Sequence, residues 1–131
     1  MINGFEDQTE PLTEYEESEI LPHIVRGLRL KVGKAMSVTN KAIVEGMKRN
    51  LGLKITEPRV RKIINHIRVN DLVPCLIATS QGYYIAESEQ ELKDYEESLL
   101  GREEAIRSVR LSIQRQRKHK FQHQQQQELF Q

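Results

Sequence analysis

Aromatic residues are scarce in this chain, at 5 % of 131 residues with no tryptophan. A core built from it must be aliphatic, small and mostly helical. There is one cysteine, Cys75. That excludes an internal disulfide and any CxxC pair for zinc or redox chemistry, and it fits a reducing compartment. No stretch approaches the ~18 consecutive apolar residues of a membrane span, and the acidic N-terminus has no signal-like apolar run. The expectation is a soluble, cytoplasmic protein. Catalytic signatures are missing too: there is no Gly-rich phosphate loop, no HExxH and no nucleophile elbow. Cys75, at an expected strand start in an apolar run, reads as a buried small hydrophobe and not a nucleophile. His23, His66, His119 and His123 are scattered, so neither a metal site nor a cofactor is expected. The chain does not read as an enzyme.

What the chain does have is charge in blocks. The formal net charge is only +1, but residues 1–22 carry seven acids and no Lys or Arg. Residues 23–70 carry twelve bases against two acids, Glu45 and Glu57. Residues 87–104 hold eight acids and two bases, and residues 105–120 six bases and no acid. Such segregation makes a dipolar surface, and the first basic block attracts polyanions whatever the overall charge.

Residues 1–11 read as a disordered acidic arm. Thr13 and Glu16 form a capping box that starts a helix, with an apolar stripe through Ile20, Leu21, Ile24, Val25 and Leu28. Pro22 should kink or split it. Ala35–Val38 reads as a short connection with a single extended bridge, followed by a helix over 40–49 capped by Ser37 or Thr39. Gly52 supplies a left-handed turn position. A third helix, Pro58–Val69, opens at Thr56 with Pro58 in its first turn, and its apolar positions are Val60, Ile63, Ile64 and Ile67. A β-hairpin follows over 75–86, turning at Ser80-Gln81-Gly82. Ser88 and Glu91 cap a fourth helix. Its positions Leu92, Tyr95, Leu99, Arg102, Ile106, Val109 and Ile113 alternate steps of three and four, six of the seven apolar, as in a short coiled coil. Gly101 is a possible break. Residues 118–131, basic then Gln-rich, read as a disordered tail.

The order helix, helix, helix, hairpin, helix resembles the winged helix-turn-helix family. The residues that carry the likeness are Val38-Thr39-Asn40-Lys41, Thr56–Asn70, Leu72-Val73-Pro74 and the tip Gln81-Gly82-Tyr83-Tyr84. The resemblance covers 12–100 or so. It implies an α+β, mostly helical fold with a winged domain over 12–87 and a C-terminal helical extension over 88–117. It also implies a small bacterial or phage-type DNA-binding protein, a transcription regulator or replication accessory factor.

On that reading the third helix enters the major groove of double-stranded DNA. Projected at 100° per residue, its outward face holds Pro58, Lys62, Asn65 and Val69, flanked by Arg61 and Arg68 on one side and Arg59 and His66 on the other. Arg and Lys can donate to guanine O6 and N7, and Asn can bond adenine N6 and N7. Thr56, Asn40 and Lys41 are candidate phosphate contacts. Gln81 and Tyr83 are candidate contacts from the hairpin, which carries no Lys or Arg. Period-two alternation puts one of Tyr83 and Tyr84 in the core and the other outside. The apolar seam Leu92, Tyr95, Leu99, Ile106, Val109, Ile113 either pairs two protomers as a homodimer or packs on its own domain. A rival reading is a module that docks a partner protein with little or no DNA binding.

Overall fold

A computed structural model describes residues 9–129, with side chains described through Gln122. Residues 1–8, most of the expected acidic arm, lie outside the described residues. Among these the chain is mostly helical, with four helices and one two-stranded antiparallel sheet. The elements are α1 (Leu21–Leu28), α2 (Asn40–Leu51), α3 (Glu57–Val69), β1 (Leu76–Thr79), β2 (Gly82–Ile85) and α4 (Glu89–Leu129). The described residues fall into two compact units, divided between Leu92 and Lys93.

The capping box forms as its residue types dictate. The Thr13 N–H donates to Glu16 Oε1 at 2.8 Å and the Glu16 N–H to Thr13 Oγ1 at 3.1 Å. Pro22 neither splits the helix nor ends it. A π-helical turn, Glu16–Ile20, enters α1, and the Leu21 N–H reaches back to the Glu16 carbonyl. The wider register absorbs a proline that can neither donate a hydrogen bond nor fit its ring against the preceding turn.

Helix α2 is capped by Thr39 Oγ1, which accepts from the Ala42 N–H at 3.1 Å. It ends at Gly52, φ 66°, whose N–H returns to the Lys48 carbonyl at 3.0 Å. Helix α3 ends in a related way without glycine. Asp71 takes φ 56° and the Leu72 N–H bonds the Ile67 carbonyl at 3.0 Å, while Asn70 Nδ2 donates to the His66 carbonyl at 2.9 Å. Asp tolerates the left-handed region better than most residues, so the polar Asn70-Asp71 pair stops the helix and turns the chain toward the hairpin.

The core gathers Ile20, Ile24 and Leu28 from the first helical segment and Met47 from α2. Val60, Ile63, Ile64 and Ile67 come from α3, and Val73, Leu76 and Tyr83 from the region of the hairpin. All four α3 residues read as apolar in sequence are buried, and burying such side chains contributes roughly 1.5–3 kcal/mol each.

Strand β2 is bonded on both sides. It pairs with β1 from Leu76↔Ile85 to Thr79↔Gly82. Its other edge meets Val38 opposite Tyr83 and Val32 beside Ile85. The expected extended bridge near Val38 is therefore present, and it ties the hairpin to the segment between α1 and α2. Gly82, φ 123°, lies so close to that segment that a Cβ there would sit 2.5 Å from the Val38 carbonyl oxygen.

Three expectations are corrected. Both Tyr83 and Tyr84 are buried; Ile77 and Tyr84, opposite each other across the hairpin, are out of water although they are not part of the main core, so both faces of the sheet are covered. Cys75 is exposed at φ 65°, a turn residue before β1 and not a buried hydrophobe. Helix α4 passes Gly101, as the expected helix over 88–117 did, but does not stop at 117: it runs on to Leu129, into the segment expected to be a disordered tail. One glycine costs a helix only about 1 kcal/mol, and Gln, Arg and Lys are good helix formers.

Candidate nucleic-acid interface

The outward face of α3 follows from its buried one. With Val60, Ile63, Ile64 and Ile67 turned into the core, Arg61, Asn65 and Val69 are exposed, and Lys62 beside them is half-buried. Lys62 to Asn65 is one helical step of three, so their side chains neighbour each other on the surface. Arg61 and Asn65 are therefore exposed, as the projection has them, while Lys62, expected at the centre of the outward face, is partly covered. Thr56 sits at the N-cap with extended backbone, but its side chain makes no capping bond, and its hydroxyl is exposed at the open first turn of α3.

Arg59 is elsewhere, and its assignment as a DNA contact is withdrawn. Its Nε donates to Glu16 Oε2 at 2.8 Å and its Nη2 bonds Glu16 Oε1. The remaining donors reach the carbonyls of Glu10, at 3.0 Å, and Pro11, at 2.9 Å. The planar guanidinium is thus committed, through four hydrogen bonds, to clamping the chain before α1 onto α3. The same ion pair holds the Glu16 carboxyl below its ordinary value. The Arg59 hydrogen bonds outweigh the opposing effect of burial, and the Thr13 contacts add to them.

Other candidates are partly committed. His66 is half-buried and its Nδ1 lies 3.3 Å from Asn70 Nδ2. Arg68 is half-buried as well, on the flank of the face. Tyr83 is buried, with its hydroxyl donating to Asn40 Oδ1 at 2.6 Å. Its ring is packing and its hydroxyl ties β2 to the start of α2, so it is not an exposed contact from the hairpin.

That bond marks a grouping that sequence reasoning missed. Thr39, Asn40 and Lys41 at the start of α2 share a polar crevice of about 200 Å³ with Thr79, Ser80, Gly82 and Tyr83 of the hairpin and Glu57 of α3. Asn40 and Lys41 were legible as basic and polar positions at a helix start. Their meeting with the hairpin turn depends on β2 pairing with Val38 across forty-odd residues, and the sequence shows an extended residue near Val38 without showing its partner. Gln81 is exposed at the tip of that turn, with its N–H on Thr79 Oγ1 at 3.1 Å.

The chain matches no known family model, no curated protein and no solved structure.

Proposed function

We propose that residues 12–87 act as a winged helix-turn-helix domain that binds duplex DNA with α3 in the major groove, in transcription regulation or as a replication accessory factor. The observation that carries this reading is the exposed Arg61 and Asn65 with the half-buried Lys62 beside Asn65, on a helix whose opposite side is locked into the core. A reading helix must be held rigidly from behind while offering donors in front, and α3 meets both demands. The surrounding block of twelve bases against two acids supplies the sequence-independent attraction to phosphate. Asn65 suits an adenine edge. Arg61 and Lys62 suit guanine or a phosphate, and Thr56 and Lys41 suit the backbone beside them.

The test is duplex binding measured by fluorescence anisotropy across a salt series. Binding should weaken steeply as salt rises. The double variant Arg61→Ala/Lys62→Ala should bind more weakly with a slope shallower by ~1 for each phosphate contact removed. Asn65→Ala should leave the slope alone and cost about 1–3 kcal/mol of discrimination between sites. No binding to any duplex at low salt would sink the proposal. It would favour the protein-docking reading, for which the structure offers a mainly apolar groove of about 400 Å³ between α1 and α2, lined by Ile24, Gly27, Ile43, Gly46 and Met47 among others.

A further inference from the structure

Helix α4 carries large apolar side chains in water. Leu99, Ile106, Val109 and Ile113 follow steps of seven, three and four, so they share one stripe, and they are 36 %, 70 %, 64 % and 56 % exposed. Spaced at random they would need no explanation, but an aligned and uncovered seam on a 41-residue helix does.

The charge along the same helix selects what covers it. Residues 87–104 hold eight acids and two bases, and residues 105–120 hold six bases and no acid. We infer that α4 pairs with the α4 of a second copy of this chain, running antiparallel. A parallel pair in register would lay acid block on acid block and base block on base block. It would also bring the two copies of Arg102, which occupies a seam position, face to face across the interface. An antiparallel pair centred near the charge boundary sets Glu96 and Glu103 of one copy, which flank the stripe, against Arg110 and Arg117 of the other, on the same flank. It moves the two Arg102 side chains apart along the axis, and it keeps the apolar stripes in contact. The two copies of Glu89 then stand at opposite ends of the pair.

This inference does not depend on DNA binding, and its test contains no DNA. Sedimentation of the full chain should give twice the 15.3 kDa protomer mass, and Ile106→Lys/Val109→Lys should return it to one protomer without changing the melting of the rest. Association should weaken as salt rises, because salt screens attraction between unlike blocks; a parallel pair would strengthen. Orientation is read directly in a Cys75→Ser background. Chains carrying Glu96→Cys are mixed with chains carrying Arg110→Cys or Arg117→Cys and oxidised. Disulfides between the two kinds of chain are expected. A protomer mass at tens of micromolar, association that grows with salt, or disulfides mainly between two Glu96→Cys chains would each overturn the inference.

Discussion

At the scale of single residues, the Arg59–Glu16 pair decides more than any other contact. It joins positions 43 apart in sequence and uses most of the hydrogen-bonding capacity of both side chains. The Glu16 carboxyl is held below its ordinary value of 4.5 chiefly by Arg59. A carboxylate with a depressed folded-state pKa contributes stability that is present above its unfolded value and lost as pH falls through the folded one. Glu16→Gln should therefore lower stability by about 2 kcal/mol at neutral pH, a charge-assisted hydrogen bond being worth roughly that. The difference from the parent should shrink as the pH drops below 4.5. Gln still serves in a capping box, so the start of the helix survives and the effect isolates the charge. Urea unfolding at pH 7 and at acid pH checks this, and a gap that stays constant with pH would refute it. The Thr13–Glu16 box was legible because its partners are three residues apart. The engagement of Arg59 was not, because projecting α3 alone shows which way a side chain points and not what meets it there. Cys75 misled for a similar reason: its apolar neighbours suggested burial, while its position in a turn before β1 decides its exposure.

At the scale of elements, periodicity found what it can find. The inward face of α3, the Gly52 turn, the Thr39 cap and the hairpin all rest on local rules, and all are in the structure. The bonds from β2 to Val32 and Val38 were half-legible, since an extended residue near Val38 could be read but its partner could not. The expected helix over 88–117 already passed Gly101, a small cost to a helix; its end was misjudged because the basic and Gln-rich run after 117 was read as low-complexity tail, when Gln, Arg and Lys are fair helix formers. Two glycine substitutions separate these cases. Gly82→Ala must place a methyl against the Val38 backbone at a φ of 123°. It should destabilise the fold by about 1–3 kcal/mol, with Tyr83 and the Asn40 bond loosened alongside. Gly101→Ala meets nothing within 4 Å and should add about 1 kcal/mol of helix stability. Thermal melts followed by far-ultraviolet circular dichroism should show opposite signs; a neutral Gly82→Ala would mean that the hairpin is not held against Val38.

At the scale of the whole chain, charge and burial divide the labour between two compact units. Every residue of the main core precedes Ile85, so a chain cut after Gly101 should unfold in one cooperative transition with little change in stability. It should also sediment as a single protomer, having lost Ile106, Val109 and Ile113. Under the proposed function, the duplex binding expected of it is the informative quantity. If the base block at 105–120 lies against the acid block of a second copy, those Arg and Lys side chains are already neutralised and release few counterions from DNA. The salt slope per protomer should then match that of the full chain, because on the proposed function the phosphate contacts come from residues 23–70. The apparent affinity for a two-site duplex should fall, because two linked domains bind more tightly than one. A slope that drops by several units on truncation would put the 105–120 bases on the nucleic acid instead. That would count against the antiparallel pairing while leaving α3 as a reading helix untouched.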